Sequence, residues 1–115
     1  MKLYRWNEVA EEQLNPLMTR QMIHTERMTI ARLQIRKGAV VPLHSHENEQ
    51  VSTIERGSLV FNVNGEEFVL KAGESLVLPS NVPHSARAEE DCVAVDVFTP
   101  VREDWARGDD AYLRR

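Results

Sequence analysis

The chain has 115 residues, with 14 Lys and Arg against 18 Asp and Glu and a formal net charge of -4. This length predicts a single domain over residues 1–115 and excludes large folds such as a kinase or a TIM barrel. Hydrophobic residues make up 42% and charged residues 28%, the balance of an ordinary globular protein that folds without disulfides. The mildly acidic charge offers no electrostatic footprint for a nucleic acid or an anionic membrane, so we expect neither as a partner.

The start of the chain and its cysteine content bear on location. Residues 1–8 turn polar before an apolar signal segment forms, and no later run approaches the roughly 20 apolar residues of a membrane span. Cys92 is the only cysteine, which fits a reducing compartment. Because Cys92 lies in an apolar run, a buried structural thiol is favoured over a reactive one. We therefore expect a cytoplasmic protein.

Turn signals divide the first third of the chain into short segments. A short helical turn is expected around residues 6–13, and Asn15-Pro16 then breaks the chain before an extended segment over 17–24. Residues 28–36 alternate between two faces with the period of two that a strand requires, and Lys37-Gly38 ends this strand.

The clearest hairpin lies in the middle of the chain. Asn64-Gly65 separates residues 58–63 from residues 66–70 and supplies the two positive-φ positions of a type I′ turn. A short buried run over 76–79 and a strong strand over 92–99 follow. Strands at intervals of about ten residues predict an all-β sandwich or barrel over residues 17–100. The tail over 101–115 is expected to add one short helix, with Trp105 as a packing anchor.

Two histidines lie two residues apart, and such residues on an extended segment point to the same side. His44 and His46 can therefore present two imidazoles to one ion. If the strand continues unbroken, Gln50 faces the same way and Glu49 the opposite way, which makes Glu49 the weaker ligand candidate. Histidine pairs of this kind also occur on surfaces that bind no metal. The alternative for Gln50 is a side chain that only forms hydrogen bonds beside an unoccupied site.

A second group, Gly73, Pro79 and Pro83-His84, places His84 after a proline-rich turn on a separate strand. The two groups together resemble the two motifs of the cupin superfamily, over residues 20–105. The resemblance implies an RmlC-like antiparallel β-barrel or jelly roll. It also implies one divalent transition metal ion, Zn, Ni, Fe, Mn or Cu, held by His44, His46, Gln50 and His84.

Two features depart from the usual cupin motifs. Gln50 stands where most cupins have Glu, which removes a negative charge from the ligand set and leaves the ion with more Lewis acidity. Asn81 and Ala88 stand where the second motif often has Gly and Asn.

The two faces of the last strand differ in kind. Val93, Val95 and Val97 form one face, which we expect to be core. The opposite face carries Asp96 between Ala94 and Phe98, and an acid inside a barrel needs a metal, cation or substrate partner. Arg102, six residues further on, either leans over the barrel mouth to pair with a substrate carboxylate or forms a salt bridge with Glu103 or Asp104. Position alone favours the salt bridge.

A narrower resemblance is carried by the histidine motifs together with the runs Val95-Asp96-Val97-Phe98-Thr99-Pro100 and Arg102-Glu103-Asp104-Trp105. These are similar to the pectin-degradation cupins of the KdgF type, which convert 4,5-unsaturated uronates into linear 5-keto-4-deoxyuronates. The resemblance implies that Asp96 is the acid/base residue, that Phe98 and Arg102 line the substrate site, and that the substrate is an anionic sugar acid. A metal-dependent dioxygenase and a non-catalytic ligand-binding cupin remain as alternatives.

Other residues carry weaker expectations. His24 is favoured as a packing or solvated histidine, and Arg32 either enters the pocket or lies on a wet sheet face. The methionines Met18, Met22 and Met28 are expected as core or interface filler. Tyr4, Trp6 and the edges of a small barrel favour a homodimer.

Overall fold

The computed structural model describes all of residues 1–115, and it is built almost entirely of strands. The ten strands are β1 (Glu12–Asn15), β2 (Met18–His24), β3 (Thr29–Ile35), β4 (Val40–His44), β5 (Glu49–Arg56), β6 (Ser58–Val63), β7 (Glu66–Lys71), β8 (Ser75–Leu78), β9 (His84–Arg87) and β10 (Cys92–Thr99). They form a six-stranded sheet in the order β1-β2-β3-β10-β5-β8 and a four-stranded sheet in the order β4-β9-β6-β7, with every pair antiparallel. No helix of the structure combines the length and the apolar character needed to cross a membrane.

One hydrophobic core joins the two sheets. Leu33 and Ala94 project into it from the six-stranded sheet, and Leu59 and Phe61 project from the four-stranded sheet. The sheets are two separate layers rather than one closed barrel, and this arrangement is a jelly-roll sandwich. The predicted all-β jelly roll is thereby confirmed.

The central hairpin forms as its turn residues predict. Asn64 has φ 50° and Gly65 has φ 85°, the left-handed conformations that a two-residue type I′ turn requires. Asn tolerates this region better than other residues with a side chain, and Gly adopts it without strain. The turn therefore sets the register in which β6 pairs with β7, with Val63 opposite Glu66.

The N-terminal prediction was partly wrong. Only Trp6–Glu8 form a helical turn, of the 3-10 type, and β1 follows where the helix was expected to continue. Four residues are too few to show a strand period, and β1 is defined by its pairing with β2. Gln21 of β2 fixes the turn to the sheet, because its Nε2 donates to the carbonyl oxygens of Trp6 at 2.6 Å and Val9 at 3.0 Å.

The prediction that the valine face of β10 is core holds only for Val93, which is 4% exposed. Val95 and Val97 are only half-buried, whereas Ala94 and Phe98 on the opposite face are 1% exposed and lie in the core. A strand in a sandwich turns one face to the facing sheet and the other outward, and hydrophobicity alone does not distinguish them here. The face with the carboxylate is the inner one.

The residues at the predicted tail fold back onto the sheets. Residues Glu103–Ala106 form α1, and Ala111–Leu113 form a 3-10 turn. Trp105 is 6% exposed and Leu113 is 4% exposed, and both belong to the core, so the expected packing role of Trp105 is confirmed. The tail is therefore part of the folded structure beside the histidines.

Cys92 is buried in the core, and burial raises the pKa of its thiol to about 11. This agrees with the predicted structural role. Met18 is 1% exposed and fills the core, Met22 packs partly against it, and Met28 is exposed.

Candidate metal centre

Three histidines converge at the end of the four-stranded sheet where β4 pairs with β9. His44 is the last residue of β4 and pairs in register with His84, the first residue of β9, while His46 lies in the loop that follows β4. The ring centroids of His44 and His84 are 4.3 Å apart, those of His46 and His84 are 5.0 Å apart, and those of His44 and His46 are 5.6 Å apart. One ring nitrogen of each histidine lies within 4.8 Å of the other two.

Backbone carbonyl groups orient all three rings in the same way. The Nδ1 atom of His44 lies 2.7 Å from the oxygen of Pro42, that of His46 lies 3.0 Å from the oxygen of Asn48, and that of His84 lies 2.9 Å from the oxygen of Val82. A carbonyl oxygen only accepts, so each Nδ1 donates and each Nε2 keeps a free lone pair. This is how proteins orient histidine ligands.

The three imidazoles are neutral at physiological pH. Burial lowers the pKa of His44 to about 4 and that of His46 to about 4, with neighbouring histidines and the charge of Arg102 adding to the effect. Burial also lowers the pKa of His84. Neutral imidazoles with free lone pairs are the form that binds a transition metal.

Gln50 adds a fourth candidate donor from β5. Its side chain is buried and donates from Nε2 to Ser52 Oγ at 2.9 Å, which turns Oε1 to within 3.1 Å of His46 Nε2. Because His46 Nε2 is unprotonated, two acceptor atoms face each other there, an unfavourable arrangement that a cation relieves. The expected facing of Gln50 is thus observed, and Glu49 is exposed.

The reason for that facing differs from the one predicted. The strand does not continue from His44 to Gln50, since β4 ends at His44 and β5 begins at Glu49. In the intervening loop, Asn48 is 4% exposed and its Nδ2 donates to the carbonyl oxygens of Pro100 and Val101. This buried amide returns the chain to the sheet so that His46 and Gln50 meet.

These residues fit a divalent transition metal. Three neutral imidazoles and one amide oxygen are ligands that such ions accept, and His84 Nε2 is buried without a hydrogen-bond partner. A buried polar atom left unpaired costs free energy, and coordination would satisfy it.

The predicted acid, Asp96, borders the same cavity, which has a volume of about 50 Å³ and is also lined by His44, Gln50 and His84. Asp96 lies on β10 opposite Ser52 of β5, and its Oδ1 is buried without a hydrogen-bond partner. Burial raises the pKa of Asp96 to about 6, although a hydrogen bond with Ser52 and the charge of Arg102 partly offset the rise. This carboxyl group therefore exchanges a proton close to neutral pH.

Arg102 also lines the cavity, and it forms the salt bridge that its position predicted. Its Nε and Nη2 donate to the carboxylate of Asp104 at 3.0 Å and 2.8 Å. The pair is not a surface one, because Arg102 is 1% exposed and its guanidinium lies 4.0 Å from the ring centroid of Trp105 and 4.8 Å from that of Phe98. The structure thus shows the salt bridge to Asp104, and it places Arg102 at the cavity.

Phe98 is fully buried beside the histidines. Its ring lies 5.7 Å from that of His46 and 4.9 Å from that of Trp105, both in edge-to-face geometry. It also borders the cavity.

Two candidate residues lie away from the site. Arg32 pairs with Glu55 at 3.0 Å on the outer face of the six-stranded sheet, so it does not enter the pocket. His24 Nδ1 hydrogen-bonds Thr29 Oγ1 at 2.8 Å, in keeping with a packing role.

Two residues that line or support the site were not predicted from the sequence. Ser52 orients Gln50 and lies two positions after it on the same strand face, so strand parity was a usable signal. Tyr112, in the C-terminal turn, places its ring 4.9 Å from that of His44 and lines the cavity. No spacing or motif pointed to Tyr112, because only folding brings the tail to β4.

Comparisons with known proteins agree with this architecture. The pectin degradation protein KdgF of Dickeya dadantii is 28% identical over 102 residues, which cover 86% of this chain and 93% of that protein. The structure of KdgF from Halomonas sp. has a TM-score of 0.84 at 27% identity and covers 90% of this chain and 99% of its own. The crystal structure of an RmlC-like cupin from Shewanella frigidimarina has a TM-score of 0.85 at 29% identity, covering 91% and 96% of the two chains.

The family model described as "Cupin domain" matches residues 31–98, which include all four donor residues and Asp96. The chain belongs to the cupin family.

Proposed function

We propose that this protein is a metal-dependent enzyme that converts 4,5-unsaturated uronates into linear 5-keto-4-deoxyuronates in pectin degradation. One observation carries the proposal: the carboxyl group of Asp96 and the buried guanidinium of Arg102 border the same cavity as three of the candidate metal ligands, His44, Gln50 and His84. The likeness to the two KdgF proteins supports this substrate class.

The reaction is an isomerisation without net oxidation. In the first step the C1 hydroxyl loses its proton, the bond from C1 to the ring oxygen breaks, and the ring oxygen takes up a proton to become an enol. In the second step the enol hydroxyl loses its proton and C4 gains one, so that the C4–C5 double bond becomes a ketone at C5. The first step moves protons between oxygen atoms, and the second moves a proton from oxygen to carbon. Both steps call for a group that accepts and donates protons near neutral pH.

Asp96 has the protonation behaviour for this task. With a pKa of about 6, it is present both as carboxylate and as carboxylic acid near neutral pH. Its Oδ1 has no partner in the protein and is free to accept or give up a proton in the cavity. Arg102 would hold the carboxylate of the uronate, while Phe98 and Trp105 keep its guanidinium in place.

His44, His46, Gln50 and His84 would hold the metal ion. When bound, a divalent ion supplies Lewis acidity that stabilises negative charge on a substrate oxygen.

The test is an assay on unsaturated galacturonate, followed by loss of the ultraviolet absorbance of its double bond, with metal content determined on the same preparation. We expect turnover by the wild-type protein and loss of metal and turnover in His44→Ala. Asp96→Asn is expected to keep the metal and lose turnover by at least about 100-fold, whereas the surface variant Asp109→Asn behaves as wild type. Unchanged turnover in Asp96→Asn with metal retained would remove Asp96 from the mechanism. Oxygen uptake without uronate turnover would instead support a dioxygenase.

The proposal includes a homodimer. The outer face of the six-stranded sheet carries a row of apolar side chains aligned by the strand register: Ile30, Val97, Val51 and Val77. None of them is fully buried, and Val77 is 57% exposed. Covering such a row with a second copy removes apolar surface from water. Sedimentation equilibrium tests this, and a monomer at micromolar concentration would contradict it.

A further inference from the structure

The C-terminal turn brings a second polar group to the cavity beside Arg102. Tyr112 lies on the 3-10 turn Ala111–Leu113, lines the cavity, and packs its ring against His44. Sequence motifs assign this tyrosine no role. Its hydroxyl nevertheless has an unusual set of partners.

Both hydrogen bonds to the Tyr112 hydroxyl are accepted by its oxygen. Arg102 Nη2 donates to Oη at 3.1 Å, and Trp105 Nε1 donates to it at 3.2 Å. Neither donor can accept the hydroxyl proton, and no other protein group does so. The O–H group is therefore a donor without an acceptor, and the adjacent guanidinium charge strengthens it as a donor.

Arg102 offers a matching donor. The carboxylate of Asp104 occupies the edge of the guanidinium formed by Nε and Nη2, and Tyr112 Oη takes a further bond from Nη2. Nη1 donates to no protein group. Two neighbouring donors, one of them cationic, suit the two oxygens of a carboxylate.

The size of the cavity limits what reaches these donors. A volume of about 50 Å³ is well below the roughly 300 Å³ at the lower end of small-molecule sites. It accommodates a carboxylate group but not a whole sugar ring. His44 and His46 are half-buried rather than enclosed, so the remainder of a ligand has an open side on which to lie.

The tail holds Tyr112 rigidly enough for this role. Asp110, two residues before it, pairs with Arg20 at 2.6 Å and with Arg114 at 2.8 Å, and its side chain is 1% exposed. Asn15 Nδ2 donates to the carbonyl oxygen of Leu113 at 2.8 Å. Because the residues on both sides are anchored, the hydroxyl is positioned before a ligand binds.

We infer that Tyr112 is a ligand-binding and specificity-determining residue, whose O–H donates to the carboxylate of an anionic ligand held by Arg102 Nη1. The inference rests on the proposed function for the ligand class, a uronate. It adds a binding contact from the C-terminal tail and a reason for preferring acids over neutral sugars.

The test compares two stable ligands by calorimetry on the protein as purified: saturated galacturonate and its methyl ester, which lacks the negative charge. We expect the wild type to bind the acid and to bind the ester at least about tenfold more weakly. In Tyr112→Phe, affinity for the acid is expected to fall by about tenfold or more, while affinity for the ester stays within about twofold. Tyr4→Phe, at an exposed tyrosine, is the matched control.

Three results would overturn the inference. They are no preference of the wild type for the acid, no effect of Tyr112→Phe on acid binding, and equal weakening of both ligands, which would mark a packing role. A thermal unfolding curve confirms that Tyr112→Phe is folded, and the wild-type comparison of acid with ester does not depend on any variant. Selective binding of the acid without turnover of the unsaturated uronate would contradict the proposed function and leave the role of Tyr112 standing.

Discussion

Substitution of Asp96 is expected to raise the stability of the protein at neutral pH while it abolishes turnover. Burial raises the pKa of its carboxyl from the ordinary value of 3.8 to about 6. The folded protein therefore holds a proton at this site between about pH 4 and pH 6 that the unfolded chain has already lost. Stability from this group is present below pH 4 and is lost as the pH rises to 6. At 1.36 kcal/mol per pH unit, the loss amounts to about 3 kcal/mol at neutral pH.

Asp96→Asn removes this ionisation and its cost. Its free energy of unfolding relative to wild type is expected to rise by up to about 3 kcal/mol between pH 4 and pH 7. Only the change of this stability difference with pH is used, so a constant contribution from the new amide hydrogen bonds cancels. The titration of the histidines cancels as well, because both proteins contain them. The chain thus carries a partly buried carboxylate, with Oδ1 fully buried, at the expense of stability at neutral pH.

Urea unfolding at several pH values measures this difference. Chelator-treated protein is required, because a bound cation would lower the pKa of Asp96 and reduce the effect. Asp109→Asn is the matched control, since the Asp109 side chain is 68% exposed and its substitution should change stability by less than about 0.5 kcal/mol at every pH. A stability difference for Asp96→Asn that does not vary from pH 4 to pH 7 would refute the argument that burial destabilises the carboxylate.

Two further perturbations test the supports of the site. Ser52→Ala removes the hydroxyl that orients the Gln50 amide. Metal affinity, measured by competition with a chelating dye, should fall by about tenfold, with Ser75→Ala on the outer face as the control. Equal affinity would show that the amide needs no orienting partner. Asp110→Asn breaks a buried ion pair of the tail, and urea unfolding is expected to show a loss of about 3 kcal/mol in the free energy of unfolding. Glu12→Gln changes a more exposed partner in the same network and should lower that free energy by under about 1 kcal/mol. Similar losses in these two variants would contradict the assigned burial.

Much of the site follows from local chemistry. The ring nitrogens of His44 and His46 lie close together, as the spacing of the two residues predicted. His84 lies beside them because β9 pairs with β4. The Asn64-Gly65 turn is defined by backbone conformations that only a few residues adopt. Gln50 faced the predicted way even though the strand is interrupted, because the buried amide of Asn48 restores the direction of the chain.

Where the expectations failed, a contact with a distant segment decided the outcome. Hydrophobicity did not distinguish the two faces of β10, since the outer face is as apolar as the inner one and only the position of the facing sheet separates them. The position of the facing sheet also decides between the two alternatives for Arg32, which lies on the outer face. In the case of β1, pairing with β2 overrode a helical preference in a segment too short to carry a strand period.

The sequence by itself therefore determined the family and the strand and turn pattern, and it identified the candidate metal ligands, because these depend on residue types at characteristic spacings. Tertiary structure alone decided how far Asp96 is buried, how Arg102 combines its salt bridge to Asp104 with a place at the cavity, and that Tyr112 belongs to the site. These features arise where the tail packs on the strands that carry the histidines, and contacts between segments so far apart in the chain leave no local pattern to find.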